Sequence, residues 1–170
     1  MKVLRTQKNS RNCIICGMEN ELGLKAPFYI LDDDSVASVV TFKPEHQSYP
    51  ERTHGGMVSA LLDELMGRTL WIKNPELYGV TTTLSVTFRK PTPFGKKLKA
   101  RAYMTFEGSL GFTAKGELFD MEDNLLATAT CKYLKMKPEI AFSGDIHADD
   151  EMIYDIPLDI SEIDFPPRKD

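Results

Sequence analysis

The sequence predicts an α+β fold, an antiparallel sheet of about six strands wrapped around one long central helix. Three observations carry this. Residues 53–74 place apolar side chains at three- and four-residue spacing, as a buried or amphipathic helix requires. The segments around it alternate polar and apolar residues, the pattern of antiparallel strands with one covered face. Short clusters rich in Gly, Pro, Asn and Asp separate the alternating runs.

The elements follow in chain order. Residues 1–12 are polar and basic and are expected to form a flexible N-terminus. Cys13 and Cys16 have the spacing of half a zinc knuckle, but no second Cys/His pair follows at a useful distance. A full site takes four ligands, so the segment reads as a structural turn and no metal is expected. Phe28–Leu31 and Val36–Phe42 read as a hairpin closed by Asp32-Asp33-Asp34-Ser35, a solvated turn that lacks the rest of a calcium loop. A polar loop, 43–53, leads into the helix. The helix is expected to run for ~17 residues, ~25 Å, until Pro75 blocks continuation.

Four strand-like runs come next: 80–90, 97–107, 112–120 and 125–136. In the first, Leu84, Val86 and Phe88 share a face, with Thr83, Ser85, Thr87 and Arg89 opposite. In the second, Lys97, Lys99, Arg101 and Tyr103 lie opposite the apolar side. The runs are expected to form a meander. Pro138 closes the last of them. Residues 137–170 then form an acidic C-terminal extension, expected to be extended, docked through Ile140, Phe142, Ile153, Tyr154, Ile156, Leu158, Ile160 and Phe165, and disordered at its end.

Composition sets the outer bounds. At 170 residues and 42% apolar the chain suits one domain with a real core. It has no apolar run long enough for a membrane span, and no secretory signal is read at its N-terminus. Three cysteines suit a reducing compartment rather than a disulfide framework, so a cytoplasmic location is expected. Residues 1–136 carry a net charge of +3 and residues 137–170 a net of −7. A mildly basic body suits a phosphorylated ligand and is too weak to argue for nucleic acid.

Within the helix two features can carry chemistry. His54-Gly55-Gly56 opens it, and a glycine-rich helix N-terminus offers unpaired N–H groups and a positive dipole end to an oxyanion. Asp63 sits among leucines, where a carboxylate needs a reason. Gly56 and Asp63 are ~10 Å apart along one face, beyond the ~3 Å reach of a single reacting carbonyl. If both act, two antiparallel copies of the helix must meet, which predicts a dimer with sites shared between chains. Alternatively the glycines make only a tight turn and Asp63 lies on a wet face.

His54-Gly55-Gly56 followed by Leu61-Leu62-Asp63-Glu64 resembles the hot-dog-fold acyl-CoA thioesterases of the phenylacetate-pathway (PaaI-like) type. So do His46-Gln47-Ser48-Tyr49-Pro50 upstream, Val86-Thr87-Phe88-Arg89-Lys90-Pro91 downstream, and the leader Cys13-Ile14-Ile15-Cys16-Gly17 with Asn20, Gly23 and Leu24. The likeness spans roughly residues 13–136. It implies a hot-dog domain that forms a homodimer or homotetramer and hydrolyses acyl-CoA, with no cofactor beyond the coenzyme A of the substrate.

Site roles also come from that resemblance. Gly55 N–H polarises the thioester carbonyl, with Gly56 sharing the task. Asp63 of the other subunit serves as general base or as nucleophile. His54 bonds the thioester or shapes the turn. Gln47 or Ser48 stands where the family carries a polar helper, and Thr81 where it carries a hydroxyl that supports the acid, with Thr82 beside it. Arg89 and Lys90, with Lys96 and Lys97, are placed for the coenzyme A phosphates. Glu64, ~100° round the helix from Asp63, is expected to be structural. Met57, Met66, Leu70, Trp71 and Tyr78 are candidates for the acyl slot. The alternative function is a non-catalytic acyl-CoA-binding or regulatory hot-dog module. A hydratase lacks its own motif here.

Overall fold

The computed structural model describes residues 1–141 and 152–168. In chain order it contains β1 (Val3–Thr6), β2 (Tyr29–Leu31), β3 (Ser35–Thr41), α1 (Gly55–Gly67), β4 (Tyr78–Phe88), β5 (Lys97–Glu107), β6 (Gly111–Asp120), β7 (Leu125–Met136) and the single turn α2 (Pro138–Ala141). The strands form one seven-stranded antiparallel sheet in the order β1-β2-β3-β5-β6-β7-β4. The sheet curls around α1, the hot-dog arrangement that the resemblance implies. Val58, Leu61, Leu62, Leu65 and Met66 of α1 are buried against Ala100, Ala102, Ala114, Leu118, Ala127 and Ala129 of the sheet. Small residues on the inner face let the helix lie close to the strands, and most of the apolar burial is gathered there.

The helix is shorter than its pattern suggests. α1 has 13 residues, ~20 Å. The Thr69 hydroxyl donates to the Met66 carbonyl at 2.7 Å, and the chain tightens into a 3₁₀ turn at Leu70–Ile72. Apolar spacing therefore outlasts the α-helix: Leu70 is fully buried although it lies beyond it.

Strand order also departs from expectation. β5, β6 and β7 form the meander, but β4 pairs with β7 at the far edge and does not touch β5 in the sheet. Period-two patterning fixes which face of a strand is covered, not which strand is its neighbour.

The seventh strand is β1, in the segment expected to be flexible. Val3 pairs with Leu31 and Thr6 with Tyr29. The C-terminal extension covers the other side of β1. Val3 N–H donates to Ser161 O at 2.8 Å and Ile163 N–H to Met1 O at 3.0 Å. Asn9 and Tyr154 exchange backbone bonds of 2.9 and 3.1 Å. The N-terminal residues are thus held between β2 and the extension, each satisfying main-chain groups that neither satisfies alone.

The extension also covers the outer face of the sheet. Ile163 joins Val3, Tyr29, Leu31 and Ala37 in a second small core. The Phe165 ring lies 5.4 Å from Lys99 Nζ and 5.1 Å from the Arg101 guanidinium. Lys99 and Arg101 are therefore 5% and 2% exposed instead of lining a solvated face. Arg101 closes a 2.6 Å ion pair with Glu117, which keeps its buried charge compensated. Ile140 and Leu158 are exposed and anchor nothing, and Phe142 lies outside the described residues. No helix among the described residues is long and apolar enough to cross a membrane.

Candidate active site

His54 sets the start of α1. Its backbone is extended, with φ −61° and ψ 131°, and its Nδ1 accepts the Gly56 N–H at 2.9 Å. This is an N-cap made by an imidazole: it takes one of the amides that a helix start leaves without a partner. The Gly56 N–H, expected to share an oxyanion role, is given to His54 in this structure. The Gly55 N–H, one residue earlier, has no acceptor among the described residues. The positive end of the helix dipole lies behind it. The Phe88 ring sits against Gly55, and a Cβ placed there would stand 3.1 Å from Cζ of that ring.

Two turns further on, Asp63 points at the sheet. Its Oδ1 accepts from Thr81 Oγ1 at 2.8 Å, from Tyr133 OH at 3.1 Å and from Cys131 Sγ at 3.5 Å. The Tyr133 hydroxyl also lies 2.8 Å from the Asp63 carbonyl oxygen, so its one proton is shared between two acceptors of the same residue. Burial first, and then the Asp63 charge, push the Tyr133 phenol far above its ordinary range. Burial likewise raises the Cys131 thiol to about 11, with Asp63 adding to the rise and Tyr133 opposing it. Both groups stay protonated and remain donors to the carboxylate near neutral pH. One carboxylate oxygen is thus fixed by three donors from β4 and β7.

A β-bulge makes this possible. Thr81 pairs with Tyr133, but Thr83 pairs with Lys132, so Thr82 is the extra residue. Strict alternation from Leu84, Val86 and Phe88 would turn Thr81 to the outer face. The inserted residue reverses the phase and brings it inward to Asp63. Thr82 bonds the Lys132 carbonyl at 2.9 Å rather than Asp63. Thr81→Val should therefore lower turnover about tenfold by removing one bond to the carboxylate, whereas Thr82→Val should leave it near wild type. Steady-state kinetics of the two purified variants checks this.

A cavity of about 450 Å³ opens beside Asp63, lined among others by Thr81, Tyr133, Gly67, Trp71 and Tyr78. Trp71 and Tyr78 meet edge to face with centroids 5.2 Å apart. Of the residues considered for an acyl slot these two line the cavity. Met66 and Leu70 are fully buried core, and Met57 packs against the core. Glu64 lines the same cavity, and its Oε1 accepts from Arg68 Nε at 2.9 Å.

The remaining candidates lie nearer the helix start or beyond it. Gln47 and Ser48 are exposed in the loop before α1, where Gln47 bridges to Thr53 and Ser48 N–H bonds Arg52 O. Neither has a hydrogen bond to Asp63 or Gly55. Arg89 and Lys90 are exposed past the end of β4, and Lys90 Nζ donates to Asn124 at 2.8 Å. Tyr133 and Cys131 are site residues that sequence reasoning missed. Both sit on the apolar face of β7, where a tyrosine and a cysteine read as core. Only the cross-strand pairing with Thr81 and Leu84 marks them out.

A family model described as the thioesterase superfamily matches residues 52–127, the stretch that holds α1, β4, β5 and β6. No curated protein matches the chain. Solved structures do. A thioesterase superfamily protein is 24% identical with a TM-score of 0.67, the match covering 72% of this chain and 63% of that one. The chain thus spans less than two thirds of that protein. The Escherichia coli PaaI protein from the phenylacetic acid degradation operon is 18% identical with a TM-score of 0.60, over 66% and 80% of the two chains. A Bacillus halodurans protein crystallised with CoA is 22% identical with a TM-score of 0.58, over 65% and 73%. The likeness in fold is to hot-dog thioesterases, the PaaI protein among them.

Proposed function

We propose that this chain hydrolyses an acyl-CoA thioester to the free acid and coenzyme A, at a site shared by two copies of the chain. The observation that carries the reading is the pairing of a fixed carboxylate with an open helix-start amide. Asp63 is held by three donors, and the unpaired Gly55 N–H stands eight residues away on the same helix, ~12 Å along its axis. One thioester cannot bridge that distance within one chain.

A two-fold arrangement closes the gap. β4 is an edge strand, with Thr81 near its start beside Asp63 and Phe88 at its end beside Gly55. Two antiparallel β4 edges related by a two-fold axis at Leu84–Ser85 set Thr81 of one chain opposite Phe88 of the other. That brings the Asp63 end of each site to the Gly55 end of its mate.

In such a site the Gly55 N–H and the helix dipole stabilise the oxyanion that forms on the thioester oxygen. Asp63 takes a proton from water as the water oxygen bonds to the carbonyl carbon. The tetrahedral intermediate then collapses, the C–S bond breaks and coenzyme A leaves as the thiolate, which picks up the proton. Direct attack by Asp63, giving an anhydride that water opens, uses the same atoms and yields the same products. Arg89 and Lys90 lie past Phe88, at the Gly55 end, and are assigned to the coenzyme A phosphates. Reversing both charges should raise KM far more than it changes kcat.

The test is a thiol-release assay with purified protein and a panel of aromatic, short-, medium- and long-chain acyl-CoA. Turnover on at least one member supports the reading. Tight acyl-CoA binding without turnover overturns it in favour of a binding module.

A further inference from the structure

We propose that Cys13, Cys16 and Glu64 form a binding site for a thiophilic divalent ion, zinc foremost, in the wall of the cavity that Asp63 lines. The metal-binding atoms of the three residues lie within 4.8 Å of one another, and Cys13 Sγ is 3.9 Å from Glu64 Oε2. Tetrahedral zinc with Zn–S of about 2.3 Å and Zn–O of about 2.0–2.2 Å sets its ligand atoms about 3.5–3.8 Å apart. The cluster needs only a small contraction to reach that spacing.

Backbone geometry is already that of a thiolate knuckle. The amide N–H groups of Ile15 and Cys16 both point at Cys13 Sγ, at 3.3 and 3.4 Å. Such donors stabilise negative charge on sulfur. The Gly17 N–H closes the turn onto Cys13 O at 2.8 Å. A Cβ at Gly17 would lie 2.4 Å from that oxygen, so Cys-Ile-Ile-Cys-Gly allows only glycine after the second cysteine. Cys16 is also within 3.1 Å of Ser10 Oγ.

Charge balance supports a dication. Two thiolates and one carboxylate around Zn²⁺ leave a net of −1, and Arg68, 2% exposed and bonded to Glu64, supplies +1. Arg68 also orients the carboxylate from behind, the arrangement that tunes metal ligands from outside the first ring of contacts. Its guanidinium is locked by Lys8 O at 2.8 Å and by the Phe28 ring at 4.0 Å. A bound ion ties the turn at residues 10–17 to α1, in the wall of the cavity that Asp63 also lines. The expectation of a metal-free turn looked for a second Cys/His pair. The third donor is instead a carboxylate on a helix 48 residues away.

The experiment uses the full chain, reduced and stripped of metal, titrated with Zn²⁺ against a chromophoric chelator. One ion per chain is expected, with affinity that weakens as pH falls because two thiols must lose protons. Cys13→Ser and Cys16→Ser should each weaken binding by at least about 100-fold, and Glu64→Gln by about tenfold, with circular dichroism confirming that each variant is folded. Cys131→Ser should bind as wild type. Co²⁺ should give a thiolate-to-metal charge-transfer band that weakens in Cys13→Ser and is absent when Cys13 and Cys16 are both serine. No stoichiometric uptake, or uptake unchanged in the Cys13 and Cys16 variants, overturns the proposal. These readouts are of binding alone, so their failure is separate from failure of the thioesterase reading.

Discussion

Asp63→Asn is expected to lower kcat for acyl-CoA hydrolysis by about 10²–10⁴-fold, the range a positioned proton acceptor contributes, with KM little changed. Asparagine keeps the shape and can still accept at its carbonyl oxygen from Thr81, Tyr133 and Cys131, so folding and assembly should persist. What disappears is the negative charge that takes the proton of water or attacks the carbonyl. Circular dichroism and size-exclusion chromatography alongside kinetics separate this from misfolding. Retention of more than about a tenth of wild-type turnover contradicts the assignment. The neighbouring Glu64 makes a poor control, because it pairs with buried Arg68 and its loss strands that charge. Exposed Glu45→Gln is the better comparison.

Gly55→Pro is expected to cost about 10²–10³-fold in kcat, the usual cost of removing one oxyanion donor. The position accepts proline unusually well. Gly55 is the first residue of α1, where proline is favoured, and His54 before it already holds the extended backbone that a following proline demands. The substitution therefore deletes one N–H and little else in the backbone. The added carbons press on Phe88, which is 52% exposed and able to turn away. Gly55→Ala carries the same crowding but keeps the N–H, and should retain most activity. Equal losses in the two variants would make Phe88 crowding the cause and remove Gly55 from the chemistry.

Much of this was legible in the sequence because the strongest patterns report burial. Leu61, Leu62 and Leu65 at helical spacing gave α1, and the alternation around Leu84, Leu98 and Leu118 gave strands with a covered face. His54-Gly55-Gly56 and Asp63 stand out in the sequence as candidate site residues because a glycine pair at a helix start and an acid among leucines both need explaining. What was missed depends on pairing. β1 looked frayed because its partners, β2 and residues 154–163, are distant in sequence. Lys99 and Arg101 looked solvated because the extension that covers them comes some 60 residues later. Tyr133 and Cys131 looked like core because the bulge at Thr82, which joins them to Thr81 and Asp63, leaves no signature in a period-two pattern. The cap that His54 makes on the Gly56 N–H has no mark in the sequence because it depends on the backbone angles of His54.

The shared site is most directly tested by complementation. Asp63→Asn and Gly55→Pro chains, each with a different affinity tag, are co-expressed, and the assemblies that carry both tags are isolated and assayed. If each site takes Gly55 from one chain and Asp63 from the other, every mixed dimer holds one intact site and one doubly altered site. Turnover should then return to about half that of wild type per dimer, although each variant alone is nearly inactive. Mixed dimers no more active than the separate variants would place both groups of a site in one chain and contradict the account.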